Sequence, residues 1–251
     1  MQQLQRTDAW FQERRGKVTA SVAGTIIGVN SHQKPLQLWR QLTGVDEPFT
    51  GNYCTHWGEV NEHNGVLEYQ CLTGTFVDLT GFHLHKTYSW LGGSPDGLIN
   101  GKGVLEVKCP LSKNVWKLET LPAQYYVQVQ ILMEVTDRDW AHMFVWRPQG
   151  SQVVCFKRNR DFFAQIMPTL VNFFTALQTN QPPPPHPDIR HHVRKLIEQD
   201  VVPWPPGVRC KVQDLISPFS QFDSNGIKRI SVVERADSEA ERKPCDSPQS
   251  D

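Results

Sequence analysis

Three residues near the middle of the chain carry types and spacing suited to chemistry: Asp96, Glu106 and Lys108. They sit in Gly93-Ser94-Pro95-Asp96-Gly97 and Leu105-Glu106-Val107-Lys108-Cys109-Pro110. Side chains alternate along a strand, so Glu106 and Lys108 share one face while Leu105 and Val107 share the other. Two apolar residues then face the core and two charged ones are presented together. Asn100-Gly101-Lys102 is a turn signal between them. A hairpin with Ile99 opposite Gly103 sets Asp96 opposite Glu106, with Cβ atoms about 5 Å apart. Like charges so close repel unless something positive lies between them. A divalent cation does this, and Mg2+ is typically held by one or two carboxylates plus water and phosphate oxygens. Lys108 beside it can orient or activate a water, or neutralise charge building on a phosphate. The plain alternative is a surface hairpin with an ordinary Glu–Lys pair. Turn glycines and apolar alternation around the whole set argue for the site.

The elements that must position these residues follow from capping and periodicity. Thr7 or Asp8 caps a helix over 10–15. Thr19 caps a second, with Ile26 and Ile27 apolar and Gly28 as its stop. Pro35 starts a third over 36–43, closed by Gly44. Thr55 opens a long helix ending near Thr73-Gly74, with Val60, Leu67 and Cys71 as its apolar residues and Glu59 and Glu62 free to point elsewhere. Short strands are expected over 76–80, 82–85 and 89–92, then the 98–108 hairpin. A mostly apolar helix over 121–135, a strand pair over 140–146 and 152–157, and an amphipathic helix over 161–177 complete the pattern. The order implies an α/β fold, a central mixed β-sheet flanked by helices. Domain organisation is expected as a catalytic domain over 1–180, a proline-rich spacer and short basic helix over 181–218, and a disordered polar tail over 219–251.

Composition bounds the class. The 251 residues suffice for one large domain or two small ones. Lys and Arg total 26, as do Asp and Glu, so no global field attracts nucleic acid or anionic membrane, and a polyanion would need a local basic patch. The six cysteines are scattered, which excludes a zinc ribbon or iron–sulfur cluster and suits a reducing compartment. Met1-Gln2-Gln3-Leu4-Gln5-Arg6 lacks the apolar run of a signal peptide, and no stretch reaches the ~20 apolar residues of a membrane span. The expectation is an intracellular protein, cytoplasmic or nuclear, with no membrane partner.

Asp96…Glu106-Val107-Lys108 matches the PD-(D/E)xK nuclease signature. With Ser94-Pro95-Asp96-Gly97, it resembles phage lambda exonuclease and the YqaJ-type viral recombinase nucleases. Four further stretches agree in order. Trp10-Phe11-Gln12-Glu13-Arg14 followed by Val18-Thr19-Ala20-Ser21 is similar to the family's first element. Trp57-Gly58-Glu59-Val60-Asn61-Glu62 resembles its glutamate helix, and Tyr125-Tyr126-Val127-Gln128-Val129-Gln130 its glutamine helix. The segment 140–146 fits the strand that follows.

The resemblance implies a restriction-endonuclease-like core. Asp96, Glu106 and the main-chain carbonyl of Val107 would bind metal, Lys108 would be the catalytic lysine, and Glu62 would complete the metal site, with Glu59 as rival. Gln128 would stand beside the attacked phosphate. Arg14, Thr19 and Ser21 would hold a terminal 5′-phosphate, where a guanidinium, hydroxyls and free N–H groups at a helix start make an anion site. The implied activity is Mg2+-dependent 5′-to-3′ degradation of one strand of linear double-stranded DNA to 5′-mononucleotides, in recombination or end processing. Two ions are implied, with Mn2+ as substitute. A homotrimer around DNA and a single-strand annealing partner are also implied. Two alternatives remain open: a restriction-type endonuclease, and a catalytically inactive DNA-binding accessory module.

Other residues have plainer readings. His83 and His85 share a strand face but are read as surface histidines, and the adjacent His191-His192 pair is poorly spaced for zinc. Cys109, Trp39 and Trp57 are read as packing. Arg190, Arg194 and Lys195 contact DNA or are solvated, with nothing in the sequence to choose.

Overall fold

The turn read at Asn100-Gly101 is present as an exposed hairpin tip. Both residues take left-handed backbone, φ 48° and 66°, which asparagine and glycine tolerate best. In the computed structural model, which describes residues 5–111, 121–148 and 150–203, this turn joins β5 (Gly97–Ile99) to β6 (Gly103–Lys108). Ile99 pairs with Gly103 and Gly97 with Leu105, so the register is the expected one.

The hairpin belongs to a six-stranded sheet of order β2-β5-β6-β7-β8-β9. Its other strands are β2 (Val77–Asp78), β7 (Trp140–Val145), β8 (Gln152–Lys157) and β9 (Val201–Pro203). The β6–β7 pairing is parallel and the rest antiparallel, which makes the sheet mixed. The parallel step is bridged by α5 (Ala123–Thr136), as a crossover demands. A second, smaller sheet joins β1 (Val18–Thr19), β4 (Leu91–Gly93) and β3 (His83–Leu84). The short strands expected near 76–92 are thus divided between two sheets.

Both faces of the large sheet are covered. On one face pack α2 (Ala20–Ile26), α5, α6 (Arg160–Thr179) and α7 (Arg190–Asp200) around Leu98, Val104, Ala141, Met143 and Phe156. Helix α5 is buried nearly all round, from Tyr126 and Val127 to Ile131, Leu132 and Met133, the composition of a helix at the middle of a core. Removing one such side chain, as in Leu132→Ala, costs about 2–5 kcal/mol. On the other face α4 (Tyr53–Thr73) lays Val66 and Tyr69 over Leu105, Val107 and Phe144. The remaining helices, α1 (Asp8–Arg14) and α3 (Pro35–Leu42), begin at an N-cap Thr7 and at Pro35 as read from sequence. Among the described residues no helix is long and apolar enough to cross a membrane.

Several expectations are corrected. Val60, Leu67 and Cys71 do not form the buried face of α4; all three are exposed, and Gly65, Val66, Tyr69 and Thr73 are buried instead. Glu62 stands one turn before Val66 on that inward side. The helix also starts two residues earlier, because Asn52 is its cap and Thr55 completes a capping box.

The boundary near Gln181 is not where the fold ends. Val193, Leu196 and Ile197 of α7 are buried in the main core, and β9 adds the sixth strand beside β8. The preceding proline segment is held as well: a Cβ on Gly28 would come within 2.1 Å of the His186 ring. All described residues lie in the unit spanning Met1–Ser217, and the polar tail over 219–251 lies outside the described residues.

Thr19 is the N-cap of α2 but makes no side-chain cap bond. His83 and His85 are half-buried rather than spare. His83 Nε2 meets the Thr80 hydroxyl at 2.6 Å, and the His85 ring stacks on Phe163.

Candidate active site

The strand alternation presents Glu106 and Lys108 together, as the sequence requires, but in an interior setting. Glu106 is 3% exposed. Lys108 Nζ lies 2.5 Å from Glu106 Oε1, and the same oxygen accepts a hydrogen bond from Gln128 Nε2 at 2.6 Å. Tyr125, three positions before Gln128 on α5, sets its ring 4.9 Å from the lysine ammonium. One face of α5 therefore grips the pair: an amide on the carboxylate and a ring on the ammonium.

Asp96 reaches the same place from the start of β5. Its Oδ2 accepts a hydrogen bond from the Val107 amide at 2.6 Å, so Val107 orients the aspartate with its backbone while its side chain packs in the core. Burial first, then the charges of Glu106 and Glu62, push the Asp96 carboxyl well above the usual carboxylate range; Lys108 and the Val107 amide oppose this. The Lys108 ammonium is desolvated, yet Glu106, Tyr125 and Asp96 hold it protonated more firmly than a free lysine.

Glu62 joins from α4. Burial and the Glu106 charge raise its pKa, while Arg6, whose Nη2 lies 2.8 Å from Glu62 Oε2, lowers it. Glu59 is exposed to solvent, so of the two glutamates it is Glu62 that enters the carboxylate group.

This donor set fits a hard divalent cation. Three carboxylates influence one another, and Glu106 Oε2 is buried with no hydrogen-bond partner. An orphaned buried carboxylate oxygen is costly unless a cation or donor meets it. Among the described residues no three His, Cys, Asp or Glu side chains converge tightly enough to enclose an ion by themselves. A hard cation met there by one or two carboxylates would take the rest of its shell from water and phosphate.

A cleft of about 130 Å3 joins this group to the N-terminal elements. It is lined by Asp96, Glu106 and Gln128 on one side and by Arg14, Ser21 and Ser94 on the other. Arg14 stacks 4.2 Å from the Trp10 ring centre and 5.6 Å from that of Phe82. Burial lowers its pKa and no carboxylate among the described residues offsets this, but a guanidinium stays charged. Its remaining polar contact is long, Nη1 to Ser94 Oγ at 3.4 Å, while Trp10 Nε1 donates to that hydroxyl at 2.8 Å. A partly desolvated cation beside hydroxyls in a cleft has the chemistry to receive an anion. Thr19 stands behind it, buried, with Oγ1 3.1 Å from Ser21 Oγ.

The structure thus sets Asp96, Glu106 and Gln128 in one cleft with Arg14 and Ser21, binds Lys108 to Glu106, and brings Glu62 within electrostatic reach of Asp96, Glu106 and Lys108. Sequence reasoning did not single out Trp10, Ser94, Phe82, Tyr125 or Arg6 as site residues. Trp10, Ser94 and Tyr125 lay inside recognised motifs. Phe82 and Arg6 carry no local signal and are brought in by packing alone. Arg190, Arg194 and Lys195 line no part of this cleft, and Arg190 pairs with Asp188.

Comparison with known proteins bears on the family and the fold. Residues 9–139, slightly more than half of the chain, match the family described as the YqaJ-like viral recombinase domain. An uncharacterized protein of Acanthamoeba polyphaga mimivirus is 24% identical over 151 residues, 54% of this chain and 28% of that protein. The uncharacterized protein YqaJ of Bacillus subtilis is 28% identical over 155 residues, 56% of this chain and 49% of that protein. The matches therefore span about half or less of these curated relatives. Among solved structures, the alkaline exonuclease LHK-Exo of Laribacter hongkongensis is similar at TM-score 0.60 and 25% identity, over 76% of this chain and 99% of that one. Its complex with dAMP is similar at TM-score 0.61, with the same identity and coverage.

Proposed function

The chain belongs to the family of YqaJ-like viral recombinase domains, and from that premise we propose that it is a nuclease of recombination. In its finer form the proposal is a Mg2+-dependent exonuclease. It degrades one strand of linear double-stranded DNA from the 5′ end, releases 5′-mononucleotides, and accepts Mn2+ in place of Mg2+. The observation that carries the reading is the shared cleft: a half-buried Arg14, with no carboxylate partner among the described residues, lines the same space as Asp96, Glu106 and Gln128. A terminal phosphate on Arg14 would leave the next phosphodiester near the carboxylates. The dAMP complex of the alkaline exonuclease LHK-Exo supports this, since it shows a deoxynucleoside monophosphate bound to a protein of similar fold.

Asp96, Glu106 and the carbonyl of Val107, with Glu62 beside them, would hold the divalent ions. Bound there, the ions supply charge stabilisation to the attacked phosphate and lower the pKa of water. The chain's own groups do the rest. The Val107 amide fixes the rotamer of Asp96. Gln128 and Lys108 both bind Glu106 Oε1 and so aim its other oxygen inward. Lys108, held protonated, faces the place where negative charge grows during in-line attack on phosphorus. Arg14, stiffened between two rings, with the Ser21 and Ser94 hydroxyls, receives the 5′-phosphate. A homotrimer enclosing DNA and a single-strand annealing partner belong to the same proposal.

The test is digestion of end-labelled linear, nicked and circular duplexes with Mg2+. Loss of 5′-labelled mononucleotides from linear duplex, with intact circles, supports the reading. Cleavage of circles identifies an endonuclease instead, and binding without cleavage an accessory module.

A further inference from the structure

The segment ahead of α1 is tied to the site at several points. Gln5 Nε2 donates to the main-chain carbonyl of Pro95 at 2.7 Å and of Thr80 at 3.3 Å. Arg6 reaches Glu62 at 2.8 Å. Pro95 immediately precedes Asp96, so residues 5 and 6 bridge the loop that carries one site carboxylate and the helix that carries another. Gln5 also lines the cleft. Arg6 holds left-handed backbone, φ 66°, which is uncommon outside glycine. Such a conformation persists where surrounding contacts over-determine it. The bridge is therefore a built contact.

A guanidinium and a divalent cation are rivals for the same carboxylate oxygen. The Arg6 and Glu62 side chains are 46% and 31% exposed. An ion pair of that exposure shifts an equilibrium by a factor of about two to five. It is strong enough to bias Glu62, yet weak enough to yield to an ion held by several oxygens. We infer that Arg6 is a displaceable counter-charge on Glu62. It restrains that carboxylate, and the segment around Gln5 with it, until a divalent cation takes Glu62 over. Loading the site with cation is thereby coupled to loosening of the N-terminal bridge. This rests on the reading that Glu62 completes the cation site.

The experiment measures Mn2+ binding to the full chain by calorimetry, without DNA and at fixed ionic strength. Arg6→Gln is expected to tighten binding about two- to five-fold. Arg6→Lys, which keeps the charge and the same backbone demand, is expected to stay near wild type. Glu62→Gln is expected to weaken binding and to erase the effect of Arg6→Gln in the double variant. Unchanged or weaker binding by Arg6→Gln, or equal tightening by Arg6→Lys, overturns the inference while leaving the cation site standing. Wild-type binding that survives Asp96→Ala undiminished would instead overturn the site reading itself, and the inference with it.

Discussion

Asp96→Asn is expected to destroy hydrolysis and yet make the metal-stripped protein more stable. Asparagine keeps an oxygen that can accept the Val107 N–H bond and is nearly the same size as aspartate. What it removes is a carboxylate charge crowded by Glu106 and Glu62 in a desolvated site. Two unit charges about 5 Å apart repel by about 3 kcal/mol at an effective dielectric constant of about 20. Lys108 offsets part of this, leaving a net gain of about 2 kcal/mol, or about 4–8 °C in Tm for a chain of this size. The sign with pH follows from the raised pKa of Asp96. A carboxyl whose folded pKa exceeds its unfolded value adds stability that is complete below the unfolded pKa and is lost as pH rises through the folded one. The advantage of the Asp96→Asn variant is therefore greatest near neutrality and shrinks on acidification, where wild-type Asp96 is already protonated. Thermal unfolding in EDTA at several pH values measures it. Added Mg2+ is expected to stabilise the wild type and not the variant. An Asp96→Asn protein less stable than wild type in EDTA at neutral pH, or a gain that persists unchanged in acid, would refute the argument.

Other outcomes follow from the same geometry. Duplex with 5′-phosphate ends is expected to be digested faster than duplex with 5′-hydroxyl ends, and Arg14→Ala to shrink that difference; equal wild-type rates would remove the anion site from the argument. A chain ending at Ser217 is expected to keep fold and activity. One ending at Gln181 loses the apolar face of α7 and the sixth strand and is expected to lose its cooperative thermal transition; a folded, active short form would contradict the core described for α7. Gly65→Ala would drive a Cβ to 2.5 Å from Val107 Cγ1, so α4 must shift. Overpacking of this kind costs about 1–3 kcal/mol, and Mn2+ binding is expected to weaken as Glu62 moves with the helix; unaltered affinity would separate Glu62 from the site.

Local rules sufficed where one segment supplies both signal and structure. The hairpin register follows from Asn100-Gly101, and the pairing of Glu106 with Lys108 follows from alternation alone. Family motifs then pointed to Glu62, Gln128, Arg14 and Ser21, although nothing local joins these positions in space. The buried face of α4 was not legible, because apolar residues lie on both its sides. Only packing against Leu105 and Phe144 selects Val66 and Tyr69 over Val60 and Leu67. The inclusion of α7 and β9 was hidden by their charged and proline-rich surroundings, which hydropathy reads as surface. Partners distant in sequence carry no period at all: Arg6 with Glu62, Phe82 and Trp10 around Arg14, Tyr125 over Lys108. Sequence alone therefore marked which groups on each element are suited to chemistry. Tertiary structure decided which of them share one desolvated cleft, because charge repulsion, orphaned oxygens and ring contacts arise only when separate elements converge.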